Sequence, residues 1–179
     1  EPKLRLVPAR MQARHSCSVL QDAAALLGLG VDDLGDLPLA HERYVEVVEV
    51  LDHPASDKAP FGQVVRARSE AGGGWLGWVV QVDDIAEQEV RLGREAVTGN
   101  RHRPDGVELR WRQLGVKGLQ ADPQLPFFIA WEAGTPHPSE DADTEVTIES
   151  LTIAGDPDRV RDWLGLPADY TSSVIDFSW

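Results

Sequence analysis

The sequence predicts an α+β fold built from a repeated unit of strands and one short helix. A strand, an aspartate, a short helix and a Leu-Gly pair recur in this order, and the three repeats end at Gly28, Gly93 and Gly165. Intervals of roughly 70 residues suit a unit of one helix and several strands better than a solenoid of single hairpins. Because aspartate and glycine caps are frequent wherever helices and strands mix, a chance recurrence is the alternative.

The first third of the chain is expected to contain short elements and one strong strand. In order, these are a strand over residues 15–20, a helix over 22–27, a loop over 28–40, a strand over 43–51, a turn-rich connection over 53–60 and a helix over 61–68. The strand over 43–51 is rich in β-branched residues. Alternation places Tyr44 and Glu46 on one of its faces and Glu49 on the other, so whichever face is buried carries a carboxylate.

Residues 72–133 contain the most complete unit. Residues 75–82 form an apolar run after three glycines and are expected to be a strand. The helix that follows has Asp84 as an N-cap residue and ends at Gly93. Two further strands are expected, over residues 107–112, where apolar and charged side chains alternate, and over residues 127–132.

The last part of the chain reads as an incomplete third unit. After a polar linker over residues 134–143, a strand is expected over 146–153 and a final strand over 172–177. Between them lies a helix with Asp156 as its cap and Pro157 in its first position. The predicted organisation is therefore an abridged first module over residues 1–71, a complete second module over 72–133 and a partial third βαβ unit over 134–179.

The composition limits the class of protein. The chain has 179 residues, of which 42% are hydrophobic, a net charge of −13 at pH 7 and one cysteine. An acidic surface repels phosphate groups, so we expect no binding to nucleic acid. Because no apolar run approaches about 18 residues, we expect no membrane partner. The single Cys17 rules out an internal disulfide and suits a reducing compartment, so the expected location is the cytoplasm.

Positively charged side chains gather around one expected turn. Arg101 and Arg103 precede the turn signal at residues 104–106, and Arg110 and Arg112 lie on one face of the strand that follows. Arginine binds carboxylate and phosphate groups through paired hydrogen bonds, so these four residues are candidate substrate ligands. Pairing with the abundant aspartates and glutamates is the alternative.

Tryptophans are the other candidates for lining a pocket. Four of the six lie in the central unit, at Trp75, Trp78, Trp111 and Trp131. Trp78 and Trp131 are the predicted substrate-binding residues among them. Aromatic side chains on alternating strands are frequent in hydrophobic cores, which is the alternative role.

A family resemblance rests on four segments, GGGWLGWVVQVDDI, RPDGVELRWR, LPFFIAWE and the later His137-Pro138 pair. These segments resemble the glyoxalase-like proteins of the vicinal oxygen chelate superfamily, over roughly residues 43–166. The resemblance implies tandem βαβββ modules whose strands curl into a half-barrel of mixed sheet around a pocket. In metal-dependent members, a His on the first strand and a Glu on the last strand of each module bind one divalent ion.

The resemblance also assigns metal ligands to positions in this chain. His15 stands for the first-module His, Glu46 and Glu132 for the two glutamates, and the second-module His falls near Gly77, which offers no ligand atom. Three ligands with water in the open positions can hold a divalent metal, the one cofactor that the resemblance allows. If Glu46 and Glu132 share a pocket without metal, their repulsion favours a proton on one carboxyl and suits the pair to acid–base catalysis.

Two classes of function follow from the resemblance. In the first, the protein binds a small oxygen-bearing metabolite in its pocket without a tightly held metal. In the second, it is a divalent-metal-dependent lyase, isomerase or dioxygenase of the vicinal oxygen chelate type. The missing ligand at Gly77 and the net charge favour the first class, while the arginines favour a small anionic substrate.

The first module is shorter than the second by about one hairpin, which leaves one side of the pocket without its strands. An uncovered sheet edge invites pairing with another chain. Either that side of the pocket stays open, or the third unit or a second copy of the protein covers it. A homodimer is therefore one of the alternatives.

Overall fold

The computed structural model describes residues 5–7, 11–12, 36–39, 43–48, 50, 54–103, 105–140, 148, 151–167 and 175–176. The strands in these residues are β1 (Arg5–Val7), β2 (Met11–Gln12), β3 (Asp36–Leu39), β4 (Arg43–Val48), β5 (Gly74–Trp75), β6 (Val79–Gln81), β7 (Val97–His102), β8 (Glu108–Leu114), β9 (Phe127–Trp131), β10 (Leu151–Thr152) and β11 (Ile175–Asp176). The α-helices are α1 (Pro54–Lys58), α2 (Pro60–Glu70), α3 (Ile85–Leu92) and α4 (Pro157–Leu164). A 3-10 helix follows β8 at Val116–Gly118.

The larger sheet has five strands in the order β1-β6-β9-β8-β7. β6 and β9 are parallel, whereas β8 is antiparallel to both of its neighbours. The stretch from β6 through α3, β7 and β8 to β9 is therefore one complete βαβββ module. The predicted α+β fold with an open mixed sheet is confirmed, while the division of the chain into three modules stays a prediction.

The second sheet has four strands in the order β3-β4-β2-β5. The predicted strand over residues 75–82 divides between the two sheets, because β5 pairs with β2 and β6 pairs with β9. Gly73 and Gly74 precede the division with φ angles of 82° and 96°, which side chains other than glycine rarely adopt. Residues 76–78 connect the two strands. The prediction of one straight strand over residues 75–82 was therefore wrong in detail.

The two faces of the five-stranded sheet pack against different helices. On the face that we call the inner face, Val79 and Phe127 contact Val64 and Val65 of α2. On the outer face, the core cluster combines Phe128 with side chains of α3 and α4. Consecutive residues of β9 thus enter different cores, as alternation in a strand requires.

The helices α3 and α4 begin and end where their caps predict. Asp84 accepts a hydrogen bond of 2.8 Å from the backbone N–H two residues further on, and Gly93 ends α3 with a φ angle of 60°. Asp156 and Gly165 have the same functions in α4. The expected helix over residues 61–68 is also confirmed, as part of α2. Local capping fixed α3 and α4.

Several elements lie where the sequence predicts no helix or strand: β1, β2, β3, β7, α1 and the 3-10 helix. The expected loop over residues 28–40 was wrong at its end, because residues 36–39 form β3 and pair with β4. The sequence predicts no strand over residues 97–102 and predicts a loop tip at Arg101 and His102. In the structure, both residues belong to β7. Glycine and asparagine disfavour strands, and here the full register with β8 outweighs that preference. The turn itself is closed by a hydrogen bond of 2.9 Å from Gly106 N to Arg103 O. The turn-rich connection over 53–60 contains α1.

Several expectations lie wholly or mostly outside the described residues. These are the strand over 15–20 with His15, the helix over 22–27, and most of the strands over 146–153 and 172–177. Among the residues that are described, no helix combines the length and apolarity needed to cross a membrane.

Candidate functional site

The inner face has an apolar end and a polar end. At the start of β6 and β9 it is filled by α2, where the rings of Phe61 and Phe127 lie 6.5 Å apart between centroids. Towards the end of the same strands, alternation and register bring Gln81 and Trp131 onto this face. Gln81 is opposite Ile129, a buried residue of the inner core. We call this second region the polar end.

Four rings form a chain across the polar end. Trp111 and Trp131, directly opposite each other on β8 and β9, have ring centroids 5.6 Å apart at an interplanar angle of 65°. The ring of Trp131 is 6.0 Å from that of His137, which is in turn 5.6 Å from that of Tyr44. Such edge-to-face contacts are favourable between aromatic rings. The chain of rings connects β4 in one sheet with β8 and β9 in the other.

The sequence analysis notes His137 only as part of a loop dipeptide and predicts no chemical role for it. Its Nδ1 lies 2.8 Å from Oγ of the buried Ser139. The backbone N–H of Ser139 donates to the same nitrogen at 3.2 Å, which requires Nδ1 to be the unprotonated acceptor. These contacts hold the imidazole ring in place. No signal in the local sequence shows that this loop reaches the sheet.

On β6 and β9 at the polar end, two buried polar atoms have no hydrogen-bond partner in the described part of the chain. They are Nε1 of Trp131, a donor, and Oε1 of Gln81, an acceptor. The neighbouring Trp111 differs, because its Nε1 donates to Gln113 Oε1 at 3.1 Å. Buried polar groups in folded proteins are nearly always paired, so the two unpaired atoms require a physical explanation.

The four predicted substrate-binding arginines are distributed over different parts of the module. Arg101 is opposite the buried Leu109 in the register of β7 and β8, which places it on the inner face with Trp131. Arg112, on the outer face, donates at 2.9 Å to Glu89 of α3. Arg103 lies at the hairpin turn and forms an ion pair of 3.2 Å with Asp105. The structure therefore does not bring all four to one place.

Arg110 pairs with Glu108 of the same strand at 2.7 Å. The hydrogen bond from Arg110 lowers the pKa of the Glu108 carboxyl below its ordinary value. The same bond raises the pKa of Arg110, and the negative charges of Glu108 and Glu132 add to this effect. Both partners are close to solvent, so the pair contributes little to stability.

The two glutamates predicted as catalytic or metal-binding residues have different surroundings. Glu46 is half-buried on β4, and alternation places it on the side of Tyr44 and Val48, which pack on the inner core. Glu132 follows directly after Trp131, and its backbone N–H donates to Arg110 O at 3.0 Å. Its charge acts on the Arg110 side chain. Whether the two carboxylates share one pocket stays a prediction.

The described donor atoms do not fit a metal centre. Among the described residues, no three His, Cys, Asp or Glu side chains lie close enough together to hold one ion. At Gly77, a Cβ atom would come within 2.8 Å of the Leu119 side chain, which is buried in the inner core. The position that the family resemblance gives to a histidine is therefore closed by packing. His15 lies outside the described residues.

Trp78, the other predicted substrate-binding tryptophan, packs in the outer core rather than at the polar end. Its Nε1 donates to the backbone carbonyl of Gln124 at 2.9 Å. Of the predicted site residues, the structure thus brings Trp131 and Arg101 to the inner face and leaves Trp78, Arg110 and Arg112 elsewhere. Glu46 lies on β4 of the other sheet, on the side that packs on the inner core.

Comparison with known proteins gives one family and several similar structures. A family model described as a glyoxalase-like domain matches residues 36–166. No curated protein sequence matches the chain. A hypothetical protein from Staphylococcus aureus has a similar structure, with a TM-score of 0.58 and 15% sequence identity over 91% of this chain and 76% of that one. At this identity, the likeness concerns the fold alone.

Two further structures match less of the chain. One is a Streptomyces coelicolor methylmalonyl-CoA epimerase in complex with 2-nitronate-propionyl-CoA, with a TM-score of 0.41 and 10% identity over 73% of this chain and 96% of that one. The other is a hypothetical protein from Bacillus halodurans, with a TM-score of 0.38 and 16% identity over 72% of this chain and 94% of that one. Neither similarity is close enough to inform the chemistry of the site.

Proposed function

The chain belongs to the glyoxalase-like domain family, and on this premise we propose that it binds a small oxygen-bearing metabolite at the polar end of the inner face, without a tightly held metal. The observation that carries the proposal is the pair of buried atoms, Trp131 Nε1 and Gln81 Oε1, which lack partners within the described residues. They are side chains of adjacent parallel strands on the same face of the sheet.

The two atoms complement an oxygen-bearing ligand. An indole N–H can only donate and an amide oxygen can only accept, so a hydroxyl group can accept from Trp131 and donate to Gln81. Adjacent strands lie about 4.8 Å apart and rise about 3.3 Å per residue, so the Cα atoms of Gln81 and Trp131 are roughly 8 Å apart, and a ligand with a carbonyl and a hydroxyl on neighbouring carbons can reach both side chains. A buried polar group without a partner costs about 1–3 kcal/mol, which a ligand of this kind regains.

The surroundings of these atoms favour a small ligand. The rings of Trp111, His137 and Tyr44 flank Trp131, and the apolar end of the face is closed by α2. Aromatic walls with a few polar groups are typical of small-molecule pockets. Arg101 adds a positive charge on the same face, which suits a ligand that also carries a carboxylate.

The metal-dependent enzyme is the second candidate, and the donor atoms favour it less. Divalent ions in catalytic sites are bound by imidazole and carboxylate groups. Gly77 supplies no such group, and a Cβ atom at this position would meet the buried Leu119 side chain. From the ligand set that the resemblance assigns, the metal hypothesis retains Glu46, Glu132 and, outside the described residues, His15.

Nuclear magnetic resonance of ¹⁵N-labelled protein tests the proposal through the indole N–H of Trp131. Titration with dihydroxyacetone and with lactate is expected to shift this resonance in a saturable way. Trp131→Phe keeps an aromatic ring but removes the donor, and Gln81→Leu removes the acceptor; backbone amide resonances near the site report binding in both variants. Each is expected to weaken binding roughly tenfold, because one hydrogen bond to a buried group is lost.

Trp163→Phe is the matched control, because it also removes an indole N–H, one that donates to Pro126 O at 2.8 Å on the outer side of the sheet. This variant is expected to bind both compounds as tightly as the unmodified protein. An unshifted Trp131 indole with both compounds, or equal affinity in the variants at Trp131 and Gln81, would contradict the proposal.

A further inference from the structure

A concavity lies away from the polar end of the inner face. It is a cleft with a volume of about 240 Å³ between the connection from β5 to β6, the turn before β9 and the segment that contains β10. Its lining residues are Trp75, Leu76, Gly77, Trp78, Pro123, Gln124, Leu151, Thr152, Ile153 and Ala154. We call it the Trp75 cleft. The cleft lies before the start of β6 and β9, whereas Gln81 and Trp131 are the last residues of these strands, so the cleft is separate from the site proposed above.

None of the lining residues of the Trp75 cleft carries a charge. This composition is unusual for the chain, in which 26% of residues are charged. A charged ligand would lose its hydration on entering and would find no opposite charge in the lining, which makes its transfer costly. The cleft therefore selects uncharged molecules.

The walls of the cleft are fixed before any ligand arrives. Trp78 is 3% exposed and is held by its hydrogen bond to the backbone of Gln124. The side chain of Gln124 accepts from Asp156 N at 2.6 Å and donates to Asp122 at 2.7 Å. Because these three hydrogen bonds already hold Trp78 and Gln124, this wall loses little conformational entropy when a ligand binds.

Trp75 differs from Trp78, the other aromatic residue that lines the cleft, because the Trp75 side chain is 58% exposed. A tryptophan offers a large flat apolar surface, and covering that surface with another ring is favourable. Thr152, also exposed, places a hydroxyl group in the same lining as a partner for one polar atom of a ligand. The cleft thus combines a rigid floor, an exposed ring and one polar group.

We propose that the Trp75 cleft is a binding site for an uncharged, planar aromatic molecule of one or two rings, which stacks on Trp75. The size of the cleft agrees with this class, since an apolar cavity of about 150 Å³ is sufficient for benzene. The site is independent of the polar end of the inner face, where the two unpaired polar atoms select an oxygen-bearing ligand instead.

Indole is a suitable probe, with indole-3-acetate as its charged counterpart. Saturation-transfer magnetic resonance and calorimetry on the full chain are expected to show saturable binding of indole and at least tenfold weaker binding of indole-3-acetate. Trp75→Ala is expected to weaken indole binding roughly five- to tenfold, because the stacking surface is lost. Trp75 is largely exposed, so the folded state is retained, which a thermal melt verifies.

A second pair of variants tests the charge selection. Thr152→Asp adds a negative charge to the lining of the cleft, and Val90→Asp adds the same charge on α3 at a residue that is 85% exposed. The first is expected to weaken indole binding at least fivefold, while the second leaves it unchanged. No saturable binding of indole, equal binding of indole-3-acetate, or unchanged affinity in both Trp75→Ala and Thr152→Asp would overturn the proposal. Dihydroxyacetone binding is measured separately, so the two proposals fail independently.

Discussion

The guanidinium group of Arg91 on α3 donates a hydrogen bond of 2.6 Å to the backbone carbonyl of Trp163 near the end of α4. It also donates to the carbonyl of Asp162 at 2.9 Å. Carbonyl groups in the last turn of a helix lack partners within the helix. Arg91 therefore caps α4 and attaches the predicted third unit to the outer side of the complete module.

Arg91→Ala is expected to lower the free energy of unfolding by about 1–3 kcal/mol, because two helix-terminal carbonyls lose a charged donor. Urea denaturation measures the change. Arg66→Ala is the control, since it removes an arginine whose partner, Asp57, is exposed. That variant is expected to lose no more than about 1 kcal/mol. Equal losses in the two variants would show that Arg91 does not fix α4.

Gln81→Leu is expected to stabilise the ligand-free protein while it weakens binding of the metabolite. The substitution removes a buried acceptor that has no partner in the described structure, and this relieves about 1–2 kcal/mol. Thermal unfolding is expected to shift upwards by about 2–4 °C for each kcal/mol. Gln113→Leu provides the opposite case, because it leaves the N–H of Trp111 unpaired and is expected to destabilise. Equal shifts for both variants would contradict this explanation.

Gly77→His is expected to destabilise the fold without creating a metal site. A Cβ at this position comes within 2.8 Å of the Leu119 side chain, which is 2% exposed and has little room to move. Overpacking of this kind costs about 1–3 kcal/mol. Gly118→Ala is the control, since no atom lies within 4 Å of its Cβ position. A Gly77→His variant of unchanged stability that binds zinc tightly would refute the prediction.

We expect that the isolated protein holds no tightly bound catalytic metal and has no efficient glyoxalase I activity. The reason is the number of ligands, since Gly77 replaces one of them and no three described His, Cys, Asp or Glu side chains lie close enough together to hold one ion. Elemental analysis after dialysis measures the metal content. Stoichiometric zinc or nickel that survives dialysis and is lost in His15→Ala would restore the metal-enzyme hypothesis.

The carboxyl group of Glu108 is expected to titrate below the ordinary glutamate pKa of 4.5, because Arg110 donates a hydrogen bond to it. A carboxyl whose pKa is lowered in the folded state contributes stability above its ordinary pKa, and this contribution disappears as the pH falls through the lowered value. Carbon-detected magnetic resonance follows the titration. Arg110→Gln is expected to raise the midpoint, whereas Arg112→Gln, whose partner is Glu89, leaves it unchanged.

Much of the fold could be predicted because its signals are local. The caps Asp84 and Asp156 bind backbone groups two or three residues away, so the sequence alone fixes where α3 and α4 begin. The period-two pattern of β8 likewise reports which of its side chains share a face. β7 could not be predicted, because its residues disfavour strands and only pairing with β8 stabilises it.

The candidate site could be predicted only in part. The sequence identified Trp131 and Glu132 as neighbours on one strand, and alternation requires that they point to opposite sides. It could not identify which side would become the inner face, because that depends on whether α2 or α3 packs there. Gln81 carries no local signal, and His137 reaches Trp131 from a loop.

The sequence by itself thus determined α2, α3 and α4 and the alternation of the strands, since these depend on interactions between residues a few positions apart, and its segments carried the family resemblance. The tertiary structure alone decided that residues 75–82 divide between two sheets and that Gly77 has no room for a histidine. It also decided which polar atoms remain unpaired beside the ring of Trp131. These outcomes depend on strand pairing and core packing between distant segments, and such contacts are set by the balance of the whole fold rather than by any local pattern.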